Sequence, residues 1–209
     1  MTDNKSTDEY IVELEKKLEK NDQCGNTHYN LGVAYLSKRR IEDAEREFMK
    51  ATECSPTLAE GFVQLGGIAL HRGDLDDCLR YNLMATKARP RFAVPHGNIG
   101  FVFLQKGDVD KAIDSLRRAI RFDSQFVQAI STLGSAYFMS GDIEGGIEES
   151  LKAIRLQPKF GPAHNNLCLA YIEKGEFAKA IEHCDQALAS GYSVPQEVLD
   201  ELAPHRADG

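Results

Sequence analysis

His183, Cys184 and Asp185 stand side by side and carry the side-chain types of a base, a nucleophile and an orienting acid. Their spacing argues against that chemistry. Consecutive residues of a helix project about 100° apart and do not face one another. His28, His96 and His164 recur at a constant interval, which raises the question of a metal. A third set is more suggestive. Asn30, Gln64, Asn98, Thr132 and Asn166 are spaced evenly, and all five are uncharged side chains able to donate or accept hydrogen bonds. An amide can donate to a carbonyl and accept from an N–H together, so a row of them reads peptide backbone without demanding a sequence.

The elements that must position these residues are written as a repeat of 34 residues, a length that signals stacked supersecondary units. Leu31-Gly32, Tyr35, Ala44, Phe48, Ala51 and Pro56 are followed in register by Leu65-Gly66, Cys78, Ala85 and Pro90. Ile99-Gly100, Phe103, Ala112 and Ala119 come next, then Leu133-Gly134, Tyr137, Ala153 and Pro158, and last Leu167-Cys168, Tyr171, Ala180 and Ala187. Each copy reads as two amphipathic helices. Gly73-Asp74, Gly107-Asp108, Gly141-Asp142 and Gly175-Glu176 mark the turn between them, a left-handed C-terminal cap followed by an N-cap acid. The first copy has Lys38-Arg39-Arg40 there instead. Pro56, Pro90 and Pro158 close the second helix, and Ser124 and Tyr192 take that place in the other two copies.

The pattern resembles the tetratricopeptide repeat and covers roughly four-fifths of the chain. The resemblance implies an all-α fold, a right-handed α-solenoid of helix–turn–helix units. It places repeats over 25–192, in frames of 25–58, 59–92, 93–126, 127–160 and 161–194. Segment 1–24 is then a tail with a capping helix, and 195–209 a C-terminal capping helix and tail. Caps are needed because terminal repeats of a solenoid expose an apolar face. Ser6-x-x-Glu9 reads as a capping box, with Tyr10, Ile11, Leu14 and Leu18 as the apolar stripe behind it. Val198, Leu199 and Leu202 are the stripe at the other end, and Pro204 to Gly209 is expected to fray.

Within that frame Gly32, Gly66, Gly100 and Gly134 allow close approach of the two helices of a repeat. Asn82, Leu116, Ser150 and Cys184 stand where the family prefers Phe, and Gly146 where it prefers Ala. The glycines of the second copy (Gly61, Gly66, Gly67) each weaken a helix by about 1 kcal/mol relative to Ala, which makes the second and fourth copies the expected soft region. Cys78, Cys168 and Cys184 fall on core slots and act as small hydrophobes. The three histidines are two repeats apart, on the order of 20 Å when helices pack at about 8–10 Å. They cannot share an ion coordinated at about 2 Å.

The resemblance also places the Asn30 to Asn166 column on the inner wall, where amides of family members hold an extended peptide. Tyr29, Val33, Val63, Phe101, Ser135, Phe138, Leu169 and Ile172 flank it. The alternative is that these amides are solvated or cap a neighbouring helix. Co-chaperone members of the family grip an acidic peptide terminus through inward Lys, Arg and Asn. Here the corresponding positions Asn26, Tyr29, Glu60, Val63, Val94, Gly97, Gln128, Ser131, Pro162 and Asn165 include no Lys or Arg, which argues against such a clamp. Arg117, Arg118 and Arg121 form a basic cluster on a second helix, facing outward.

Bulk properties agree. The net charge is −7, which opposes general binding to nucleic-acid backbones. No apolar run approaches the ~18 residues of a membrane span. The polar, acidic N-terminus lacks the pattern of a signal peptide, so the expected location is cytoplasmic. Five cysteines show no C-x-x-C pair or zinc-like spacing. No nucleotide-binding, zinc-protease or nucleophile-elbow motif is found. The reading is therefore a non-enzymatic protein-interaction module, a scaffold, adaptor or assembly factor, with no catalytic residues, metal or cofactor. Its partners are proteins or peptides presenting an extended, largely uncharged segment. The competing reading is a structural homo-oligomer assembled through the end caps.

Overall fold

The capping box is formed: the Ser6 hydroxyl accepts from the Glu9 N–H at 3.2 Å, and the Ser6 N–H donates to the Glu9 carboxylate at 3.0 Å. It opens α1 (Thr7–Lys20) in a computed structural model that describes residues 6–206. The N-terminal residues 1–5 and the last three of the expected frayed tail, 207–209, lie outside the described residues. Among the described residues there are twelve α-helices, a closing 3-10 turn and no strand, an all-α helical-repeat fold. After α1 the helices are α2 (Gly25–Ser37), α3 (Ile41–Cys54), α4 (Ala59–His71), α5 (Leu75–Ala88), α6 (Ala93–Gln105) and α7 (Val109–Phe122). Then come α8 (Val127–Met139), α9 (Ile143–Leu156), α10 (Gly161–Glu173), α11 (Phe177–Ala189) and α12 (Gln196–Leu202). From α2 to α11 every second helix begins 34 residues after its counterpart, so the sequence period is a structural one.

The punctuation works as its chemistry dictates. Gly73, Gly107, Gly141 and Gly175 all have positive φ, between 69° and 86°. Asp74, Asp108 and Asp142 then accept from the backbone N–H three residues on, closing the next helix's N-terminus. Glu176 makes no such bond, its side chain being one methylene too long for a tight cap. The glycine-free turn reaches the same geometry at Arg39, whose φ is 58°. Packing of α2 on α3 evidently outweighs the cost of roughly 1–2 kcal/mol for a side chain in that region.

The chain forms two compact units that meet at Ile99–Gly100, inside α6. In the first, α1 packs on α2, α2 on α3, α3 on α4 and α4 on α5. Ile11 and Leu14 of α1 are buried against Leu31, Tyr35, Phe48 and Leu65, and Leu18 packs on the edge of that cluster. In the second, α8 pairs with α9 and α10 with α11, and α12 packs on α11. Leu116 and Leu133 centre one cluster, while Cys168, Cys184 and Leu202 centre another.

The small residues are required by contact. A Cβ on Gly32 would stand 2.7 Å from the Phe48 ring, and one on Gly100 would stand 2.5 Å from Leu116 Cγ. Where Ser150 replaces the usual large residue, the bulk comes from elsewhere: the Phe138 ring fills the space over Gly146, where a Cβ would meet it at 2.5 Å. This accounts for both departures in that repeat. Ser150 itself is fully buried, with its hydroxyl unpaired.

Gly67 differs from the others, because a Cβ there would meet nothing within 4 Å. It lies exposed in the middle of α4. Gly67→Ala is therefore expected to stabilise the protein by about 1 kcal/mol, read as a higher urea midpoint by circular dichroism. An unchanged or lower midpoint would contradict it.

The C-terminal segment departs from expectation as far as Arg206. Ala203–Arg206 forms a 3-10 turn docked on α11. The His205 ring stacks on Phe177 with centroids 3.5 Å apart, and the Arg206 guanidinium grips both oxygens of Asp185 at 2.6 and 3.2 Å. A stacked ring and a two-pronged ion pair hold a tail that composition alone reads as loose.

Candidate functional site

Helix α8 places Gln128, Ser131, Thr132, Ser135 and Met139 on one side, because residues three and four apart share a face. That face forms a wall of a hollow of about 570 Å³ in the second unit. Phe101, Leu104 and Gln105 of α6 supply another part of the lining, with Pro162 and Asn166 of α10 and the loop residues Phe160 and Tyr192. No lining side chain is charged. The hollow offers hydroxyls, amides and three aromatic rings, a mixture suited to a neutral chain with exposed backbone.

The hydroxyls of α8 are partly satisfied from within. Thr132 Oγ1 donates to the Gln128 carbonyl at 2.8 Å, the usual back-bond of a helical Thr. Asn166 is 7% exposed, and both ends of its amide are engaged. Its Nδ2 donates to the Ser131 carbonyl at 2.9 Å, and its Oδ1 accepts from the Ser135 hydroxyl at 3.0 Å. The side chain thus clips α10 to α8.

The other members of the column have different surroundings. Asn98, half-buried in the first unit, donates to Asn82 Oδ1 at 2.9 Å, and Asn82 in turn donates to the Cys78 carbonyl at 2.8 Å. Asn82 stands in a slot where Phe is usual, so this bond exists because of that replacement. Asn30 is exposed and lines a separate hollow of about 570 Å³ between α1 and α2, with Thr7, Tyr10, Glu13, Val33, Ala34 and Ser37. Gln64 lines a smaller one of about 250 Å³ with Leu36, Ile41 and Gly67.

Among the flanking residues, Phe101 and Ser135 lie in the hollow of the second unit. Val33 and Leu169 are 41% and 42% exposed. Tyr29 is half-buried against Phe48, ring centroids 5.7 Å apart, and Phe138 packs inward against the buried Ile147, Leu167 and Ala170. Gln105, Met139, Phe160 and Tyr192 were not among the residues anticipated from sequence. Gln105 and Met139 sit one helical turn beyond Phe101 and Ser135, and the 34-residue period points to them once that face is followed further. Phe160 and Tyr192 come from loops between helices, which a periodic reading treats as punctuation, although Tyr192 was flagged by its replacement of a proline.

The residues of apparent catalytic type disperse. Cys184 is fully buried beside Cys168, whose thiol is pushed up to about 12 by burial and then by the neighbouring Cys184. A thiol raised in this way is a poor nucleophile, and Cys184 is sealed in the core beside it. Asp185 faces Arg206, and His183 turns to His164 and stacks on Tyr171. The three recurring histidines share a role in the chain trace. His28, His96 and His164 each bring Nε2 to the carbonyl six residues upstream, those of Asp22, Pro90 and Pro158, at 2.8–2.9 Å. Each ring ties the loop before its helix to the helix itself. The inward Glu60 is held by Arg89 at 2.7 Å. In the basic cluster, Arg117 bonds the Tyr137 hydroxyl at 2.8 Å.

Comparison with known proteins agrees with the helical-repeat fold. A TPR repeat family model matches residues 100–141, and tetratricopeptide repeat models match 25–57 and 161–190. The chain belongs to the tetratricopeptide-repeat family. No curated protein sequence matches it. Among solved structures it is similar to MamA, with 25% identity and a TM-score of 0.65 over 77% of this chain and 94% of that one. It is similar also to pilF of Pseudomonas aeruginosa, with 19% identity and a TM-score of 0.77 over 90% and 86% of the two chains. A third is YrrB, described as a TPR protein with an unusual peptide-binding site, with 19% identity and a TM-score of 0.67 over 85% and 91%. Repeats of this family serve as protein-interaction scaffolds, and no helix of the described residues is long and apolar enough to cross a membrane.

Proposed function

We propose that this protein is a non-enzymatic, cytoplasmic adaptor that holds an extended, largely uncharged segment of a partner protein in the hollow of its second unit. The observation that carries the reading is the lining: hydroxyls, amides and aromatic rings with no charged side chain. A hollow of this kind favours a neutral segment, because a carboxylate or ammonium entering it would lose water and find no counter-charge. Phe101, Phe160 and Tyr192 receive apolar side chains, while Gln105, Gln128 and Thr132 meet backbone groups.

Fluorescence anisotropy with dye-labelled, end-capped peptides of about nine residues tests this, nine being long enough to cross the hollow when extended at about 3.3 Å per residue. Peptides without charge are expected to bind, and acidic peptides of equal length are not. Thr132→Glu should weaken the best neutral peptide by at least about tenfold, equivalent to about 1.4 kcal/mol, with helicity unchanged. Equal binding of acidic and neutral sets, or indifference to Thr132→Glu, would overturn the assignment.

A further inference from the structure

Phe160, one of the rings lining the hollow, belongs to the turn between α9 and α10. That turn is held from two sides. Gly161 packs so closely on Tyr192 that a Cβ would meet the Tyr192 Cβ at 2.6 Å. On the other side His164 Nε2 reaches the Pro158 carbonyl at 2.9 Å. Because a carbonyl only accepts, this nitrogen carries a proton, and in the neutral ring Nδ1 must then be an acceptor. It faces His183 Nδ1 at 3.1 Å. His183 is therefore the donor, and the tautomers of both rings follow from one carbonyl.

We propose that the His164–His183 pair is a pH-sensitive latch that holds the turn carrying Phe160 and so controls the shape of the hollow; this rests on the reading of that hollow as the peptide site. The neutral pair is complete. One added proton is tolerated, since an imidazolium at 183 still donates from Nδ1. A second sets N–H against N–H and two positive charges at a distance suited to a hydrogen bond, and the rings must part. His164 is 5% exposed, so it cannot turn to water in place and leaves the Pro158 carbonyl as it moves.

The groups facing the pair set the direction. His183 is held below its ordinary value, first by burial and then by His164, and Glu182 on α11 works in the opposite sense. From α10 the Tyr171 ring lies flat on His183 at 5.6 Å, and Lys179 of α11 approaches that ring at 5.1 Å. A histidine with a lowered value resists protonation in the folded state. The neutral pair is thus favoured above the unfolded value of about 6.5; as the pH falls, the first proton, on His183, leaves the hydrogen bond in place, and the second breaks it. The latch is closed at neutral pH and opens in acid.

Methyl NMR of methionine-labelled protein reads this without any peptide. Met139 lines the hollow with Phe160 and is 57% exposed, so its methyl reports the hollow while the imidazole signals report the pair. Between pH 8 and 5 the Met139 methyl is expected to shift with the second of the two protonation steps seen in the imidazole signals, and the step should vanish in His183→Gln, whose amide can still donate to His164. His164→Gln serves if that variant does not fold. A Met139 signal that stays constant while both rings of the pair become protonated, or a step that persists in the variants, overturns the latch. Failure of neutral peptides to bind would remove the peptide reading and leave the methyl titration intact.

Discussion

Phe48→Ala lowers the stability of the first unit by about 3–5 kcal/mol. Phe48 is fully buried in the cluster that also holds Leu31, Tyr35 and Leu65. Its ring lies against the bare backbone of Gly32, and Tyr29 tilts over it at 50°. Truncation removes the transfer free energy of the ring and leaves a cavity as well. Collapse into that cavity is limited, because the facing residue of α2 is a glycine with no side chain to move in. The cost should therefore fall in the upper part of the range for a buried aromatic. Urea unfolding followed by circular dichroism measures it, and a loss under about 1 kcal/mol would show that Phe48 does not hold α2 to α3 as described.

The second large effect divides residues that look alike in sequence. Asn166→Ala is expected to cost about 1–3 kcal/mol, since it removes two hydrogen bonds joining α10 to α8, each worth about 0.5–1.5 kcal/mol. Asn30→Ala should leave stability within about 0.5 kcal/mol of the parent, as an exposed substitution in a helix. If the two variants unfold alike, Asn166 is not a clip between α8 and α10. The comparison also guides binding experiments. A loss of peptide binding in Asn166→Ala mixes lost contact with lost support, whereas Thr132→Glu puts the charge on the lining without breaking a bond between helices.

Much of the architecture was legible because it obeys local rules. The Ser6–Glu9 box, the glycines at positive φ and the aspartate caps depend only on residues within a few positions of each other. The glycines of the close approaches were legible for a related reason: the period places each one opposite a second column of known size. The inner-wall column was found by the same means, but its chemistry was not. Asn98 has a partner because Asn82 replaces a ring in the same unit, and Asn166 has two because α8 presents serines at 131 and 135. Asn30, in an equivalent place, lies open beside α1. Phe138 packs over Gly146 because Gly146 and Ser150 leave a ring's worth of room.

The sequence by itself determined the family, the helix boundaries, the turn chemistry and the columns of residues, because a repeat gives every copy the same backbone slots. Only the tertiary structure decided which amides are spent on neighbouring helices, that Phe160 and Tyr192 complete the hollow, that His164 and His183 meet, and that the chain as far as Arg206 docks on α11. Those outcomes depend on the particular side chain standing opposite, a pairing across helices that periodicity along one chain does not encode.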